Sequence, residues 1–195
     1  MYLFIDTETG GITPNYSLLT VSCIVADKDF NIVPIFDSGS RGLYLRIKHD
    51  EYSLTSGALE VNKINIVEHH AQAKYAAEAG TILRTFLNGA VKTTGKKRLI
   101  PAGHNVVFDM QFLRAHLLDD ATWNEYFTYP AFDTAAIARY LNAVNVIPGG
   151  YSLTALRNAF LPELSTATMH NAETDNLVTL ALAKKFVSLW STQTK

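Results

Sequence analysis

The sequence predicts an α/β domain in which a mixed sheet is covered by helices, and three observations carry that reading. The first 50 residues alternate apolar, β-branched runs with turn residues; the apolar positions change to helical spacing after about residue 53; and a later strand-like run leads straight into a helical stretch. The chain has 195 residues, 48% hydrophobic and 18% charged, which is enough for one domain, 1–195, with a core that buries roughly 70% of the surface of the unfolded chain.

Residues 2–6 (YLFID) form a short continuous apolar run, the pattern of a central strand covered on both faces. Residues 18–27 read as a second strand, with weaker ones at 31–36 and 43–48, and Asp27-Lys28-Asp29 and Gly39/Gly42 supply the turns. Ala58, Leu59, Val61 and Ile64, then Ala73 through Leu87, recur at helical spacing, and Asn88-Gly89 is placed to close that helix. The basic stretch 92–98 (KTTGKKR) reads as a solvated loop; if a channel wall for nucleic acid exists, Lys92, Lys96, Lys97 and Arg98 are the dense cluster available for it. A strand at Leu99-Ile100 then runs into a helix within 104–118, and further helices are expected near 134–142, 152–160 and 172–190. Pro148-Gly149-Gly150 marks a loop, with Ser152 as an N-cap.

Seventeen Lys and Arg against 18 Asp and Glu give a net charge of -1, so no global basic field holds this chain to nucleic acid or anionic lipid, and such binding must be local. The single cysteine, Cys23, lies in an apolar run and cannot form an internal disulfide, which points to a reducing compartment, the cytoplasm. No apolar stretch reaches 18 residues and no basic leader opens the chain, so neither a membrane span nor a secretion signal is expected.

Several acids stand where apolar residues belong. Asp6 and Glu8, two apart at the end of the most apolar strand, project from one face of an extended chain, although a polar strand end would explain the pair alone. Asp109 shares a helical face with Phe112, Leu113 and Leu117; a first-turn aspartate favoured by the helix dipole, with His104 or Asn105 capping nearby, is the plainer alternative. Asp175 shares its face with Val178, Leu182, Phe186 and Leu189. A buried carboxylate has to be neutralised, paired or bound to a cation. Four gathered together would repel, by roughly 4 kcal/mol per pair at about 4 Å and an effective dielectric near 20. Few basic residues are placed to relieve them, so a divalent metal is the natural counter-charge, and an all-oxygen donor set favours magnesium or manganese over zinc. His170, five residues before Asp175, falls off that acid's helical face and must sit just ahead of the helix, where it can take a proton from a water without being a ligand; a solvent-exposed loop histidine is the alternative.

DTETGG (6–11), HNVVFDMQFL (104–113) and HNAETD (170–175) resemble, in order and spacing, the three motifs of the DEDDh, or DnaQ-like, 3′–5′ exonucleases, and FDT (132–134) and YSLTAL (151–156) resemble the segments that family places between its second and third motifs. The resemblance implies a ribonuclease H-like fold, a mixed five-stranded sheet flanked by helices. It implies two divalent cations, Mg2+ or Mn2+: Asp6, Glu8 and Asp175 would hold one, Asp6 the other with Asp109 nearby, and His170 would be the general base of a two-metal hydrolysis. It also implies that Thr7 and Thr9 meet the terminal sugar, that Ile12 and Phe108 pack on its base, and that Asn105 joins the substrate contacts. Gly10, where many members carry threonine, and Asn176, where a small residue often follows the last aspartate, depart from the family's pattern.

The function expected is therefore a 3′–5′ exonuclease acting on the 3′ ends of single-stranded nucleic acid, DNA before RNA, that releases nucleoside 5′-monophosphates. The alternatives are an RNA-trimming enzyme of the ribonuclease T and oligoribonuclease type, or a proofreading subunit with a separate polymerase as its partner.

Overall fold

The apolar run at the start of the chain extends into β1 (Tyr2–Thr9), a central strand of a six-stranded sheet. Leu3 and Ile5 face one side of it and Phe4 the other, and all three are buried, so the strand is covered on both faces as its unbroken hydrophobicity requires. The structure, a computed structural model, describes residues 1–35, 41–147, 149–164 and 170–193, the last four through their backbone alone. Phe36, Gly39 and Pro148, which entered the expectations above, lie outside the described residues.

β2 (Leu18–Ala26), buried at every position, pairs antiparallel with β1 and with β3 (Leu43–Lys48). The weak strand expected at 31–36 does not form over its described part: Asp27 gathers the turn through its carboxylate, Ile32 makes one bridge to Ala26, and Pro34 has no N–H to continue a ladder. The helical spacing after residue 53 resolves into α1 (Ser56–Asn62) and α2 (Ile66–Gln72), the two-residue edge strand β4 (Lys74–Tyr75), and α3 (Ala76–Thr94). α3 does not stop at Asn88-Gly89, because Ala90 and Val91 just beyond the pair pack into the core beside Leu87; Gly95, at φ 64°, ends it in the left-handed region.

β5 (Ile100–Gly103) lies parallel to β1 and is followed by α4 (Val107–His116). Two elements not expected from the sequence come next: α5 (Asp120–Tyr126), capped by Asp119 and anchored by buried Trp123 and Tyr126, and the short strand β6 (Phe132–Asp133) beside β5. The helices expected further on are present as α6 (Thr134–Ala143), α7 (Leu153–Phe160) and α8 (Ala172–Gln193), and Ser152 does cap α7, accepting the Ala155 N–H.

The sheet order is β4-β3-β2-β1-β5-β6, so the mixed sheet has six strands instead of five. α3 and α4 cover one face and α8 the other. Among the described residues no helix is long and apolar enough to cross a membrane.

Candidate active site

The C-terminal end of β1 is where the acids meet. Alternation along the strand puts Asp6 and Glu8 on the face shared with Phe4, the face against which α8 packs. A register shift against β2 between Glu8 and Thr9 bends the strand end there. Asp175, in the first turn of α8, enters from that side, and one carboxylate oxygen from each of Asp6, Glu8 and Asp175 lies within 4.8 Å of the others. Its neighbour Asn176 fixes the helix: fully buried, it donates from Nδ2 to the Phe4 carbonyl at 3.0 Å and the Ser22 hydroxyl at 3.1 Å, tying α8 to two strands at once. The departure at 176 is thus a structural tie under the helix.

Asp109 arrives from the opposite side of the sheet on α4. Its Oδ1 accepts from the Thr7 hydroxyl at 2.7 Å, and Thr7 lies between Asp6 and Glu8 with its side chain on the other face. Asp109 stands outside the three-carboxylate group but close enough to raise the pKa values of Asp6 and Glu8.

Every acid of the cluster binds protons more tightly than a free carboxyl group. Asp6 is raised well above the usual range, by burial first and then by Asp109, Asp175 and Glu8. Burial, then Asp175 and Asp109, lift Glu8 to about 8. Burial lifts Asp109 to about 7 against the Thr7 hydrogen bond, and Asp175 to about 6 against the His170 N–H. The carboxylates therefore carry a charge burden that the protein's own groups relieve only in part. Asp175 Oδ1 is buried without a hydrogen bond, an oxygen lone pair with nothing to bind among the described residues. Three converging carboxylates with one orphaned oxygen fit a hard divalent cation.

One cation near this cluster escaped the sequence reading. Arg157 on α7 is buried and lowers the pKa of Asp175. Its signal was present: Leu153, Leu156, Arg157 and Phe160 share one face of a short helix, so a charge stands in an apolar stripe.

His170 stands ahead of α8 as the spacing requires, at φ 63°, and its backbone N–H donates to Asp175 Oδ2 at 3.0 Å. The capping of α4 by His104 or Asn105 that the plainer alternative for Asp109 invoked does not occur: His104 pairs with the Thr134 hydroxyl, and Asn105, at φ 62°, is held by Asp133, whose Oδ1 accepts its N–H at 2.9 Å. Asp133 of the FDT segment thus sets the loop that launches α4 and, with it, Asp109.

The residues expected at the substrate divide between two roles. Thr7 and Thr9 are buried, their hydroxyls engaged with Asp109 and with the Gly11 carbonyl, so only their backbone is available at the strand end. Ile12, 84% exposed, and Phe108 line one cavity of about 390 Å³ with Val61, Ala58 and Glu8, apolar in character and open beside the acids. Asn105 is exposed. Gly10 cannot carry a side chain here, since a Cβ would lie 2.2 Å from the Ser53 carbonyl oxygen, and the same approach lets Gly10 accept the Thr55 N–H. The basic cluster is no wall of this site. Ile100 pairs with Tyr2, so Arg98 and the lysines before it flank the start of β1, roughly 13 Å of strand from Asp6.

No family model matches the chain. It is similar to ribonuclease T of Hahella chejuensis, 25% identical over 200 residues that cover 95% of this chain and 83% of the relative. Among solved structures it is similar to Escherichia coli exonuclease I in complex with a dA16 oligonucleotide, with a TM-score of 0.75 and 21% identity over 98% of this chain. The zinc-bound form of the exonuclease I complex with single-stranded DNA gives 0.73 and 22%. The chain spans about two fifths of the exonuclease I chains, 41% and 42%, so these structures speak to the fold.

Proposed function

We propose that this chain, a member of the DnaQ-like 3′–5′ exonucleases of the ribonuclease H-like superfamily, removes nucleotides one at a time from the 3′ end of single-stranded nucleic acid, and DNA before RNA. The observation that carries the reading is the convergence of Asp6, Glu8 and Asp175 beside a cavity walled by Ile12 and Phe108, in the order and spacing of that family's motifs.

In this reading Asp6, Glu8 and Asp175 would hold one divalent cation, and Asp6 with Asp109 nearby would serve a second, Mg2+ or Mn2+ in each case. Bound, such ions neutralise the carboxylates, lower the pKa of water and stabilise a departing 3′-oxygen. The chain's own residues do the rest. Ile12 and Phe108 pack on the terminal base, and the backbone at Thr7 and Thr9 meets its sugar. Asn105, exposed ahead of α4, joins the substrate contacts. His170 accepts the proton of the attacking water, its backbone fixed to Asp175 so that base and acid move as one unit. Stacking and backbone contacts tolerate any base, which supports little sequence preference. The Cys23 thiol, fully buried and pushed up to about 12 chiefly by that burial, is no nucleophile, and a reducing, cytoplasmic setting suits it.

A second reading keeps the chemistry and changes the substrate to RNA; the ribonuclease T relative favours it. Side-by-side digestion of 5′-labelled single-stranded DNA and RNA of one sequence, with magnesium, separates the two. DNA is expected to shorten faster, and faster loss of RNA overturns that order.

A further inference from the structure

A second cavity of about 240 Å³ shares Glu8 and Asn62 with the apolar one, and its chemistry is different. Glu8, Thr20, Tyr44, Arg46, Lys63 and His170 are among the residues that line it. The sheet register explains how it is built. Asp6 stands opposite Ser22 and Ser22 opposite Tyr44; Glu8 stands opposite Thr20 and Thr20 opposite Arg46. Residues directly opposite one another share a face. Arg46 therefore lies on the same side of the sheet as the acids, two strand spacings or roughly 10 Å from Glu8, the span of one to two nucleotides.

Two carboxylates, Glu8 and Glu68, also line this cavity, and three features suit the part around Arg46 and Lys63 to an anion. Arg46 and Lys63 are exposed, and neither has a carboxylate at ion-pair distance among the described residues. The Arg46 guanidinium lies 5.1 Å from the centre of the Tyr44 ring, which covers one face of that ring and holds the fork in place. Thr20, only 2% exposed, lines the same cavity, and its hydroxyl lacks a hydrogen bond of ordinary geometry although the Tyr44 phenol lies beside it. A buried hydroxyl short of a full hydrogen bond, directly opposite Arg46 and sharing its cavity with Lys63, completes a donor set for a phosphate oxygen.

We infer that this polar cavity is a second phosphate site, taking a phosphate of the substrate strand other than the one being cut. The inference rests on the exonuclease reading above and adds to it: the acids and Ile12–Phe108 engage the terminal nucleotide, while Arg46, Lys63 and Thr20 grip the strand elsewhere. The phosphate could be an internal phosphodiester or a phosphate on the 3′ end, and the two sources are separable by experiment.

The test compares wild type with Arg46→Ala and with Lys63→Asn, which removes charge yet suits the left-handed backbone at that position, φ 55°. Each is assayed with magnesium on a dinucleoside with one phosphodiester, the same molecule bearing a 3′-phosphate, and a pentanucleotide. We expect KM on the pentanucleotide to rise about tenfold with kcat little changed, as loss of one charged hydrogen bond implies, the ratio falling toward one on the single phosphodiester. The salt dependence of KM on the pentanucleotide should weaken by about one counterion. If the loss follows the 3′-phosphate instead of length, the terminal phosphate is the ligand. A loss of equal size on all three substrates, or none on any, overturns the inference while wild-type cleavage leaves the exonuclease reading standing. Failure of the wild type to cut any of them overturns both.

Discussion

The Thr7 hydroxyl donates to Asp109 Oδ1 at 2.7 Å on the α4 side of the sheet, and this bond joins an acid on α4 to the strand that carries Asp6 and Glu8 on its opposite face. One strand thus addresses both sides of the site through three consecutive residues.

Replacing Thr7 by valine keeps the shape and removes the donor. Leaving buried Asp109 without its partner costs about 1–3 kcal/mol, read as a lower denaturation midpoint in metal-free buffer near pH 8, and Thr7→Ser recovers most of it. An unchanged midpoint would mean that the bond carries no weight.

The raised acids set the pH response of the metal-free protein. Glu8, raised from 4.5 to about 8, and Asp109, raised from 3.8 to about 7, bind protons more tightly folded than unfolded, so the stability they give is full below about 4 and is lost as pH rises through 7 to 8. Buried His69, together with His104 and His116, is shifted the other way, downward from 6.5 chiefly by burial, and acts only at lower pH. Between pH 7 and 8.5 the melting temperature in EDTA should therefore fall, and saturating magnesium should cancel the fall. A rise with pH in EDTA would contradict the crowding.

Asp6 bears the heaviest burden, so Asp6→Asn should melt higher than wild type without metal at pH 8 and lose metal-dependent cleavage altogether. A lower melting temperature in EDTA would show that the acids do not strain one another.

His170→Ala should cut turnover by roughly 10² to 10⁴ with manganese affinity retained, because the imidazole is assigned a proton and not an ion. Calorimetric titration with manganese and single-turnover rates measure the two effects separately; an unaltered rate removes His170 from the mechanism.

Much of the site was legible because misplaced charge leaves a trace in an apolar pattern. Asp6 and Glu8 close a buried strand, and Asp109 and Asp175 interrupt helical stripes, so local periodicity alone points each of them inward. Contacts between distant segments leave no such trace. Nothing around Asn176 shows that its amide will find the Phe4 carbonyl and Ser22, and nothing around Asp133 shows that it will receive the Asn105 N–H. Arg157 was legible by the argument applied to the acids. The end of α3 was misread for another reason: Asn-Gly is a good local stop, but packing of Ala90 and Val91 into the core outweighs it, and the helix runs on to Gly95. The position of the basic 92–98 stretch depends on the parallel pairing of β5 with β1, which only the topology supplies.

Digestion of a 5′-labelled single-stranded oligonucleotide, with magnesium and with EDTA, tests the central claim most directly. Shared divalent ions and a terminal-nucleotide cavity predict a ladder shortening one nucleotide at a time from the 3′ end, abolished by EDTA. Internal cuts, or shortening that persists in EDTA, would contradict it.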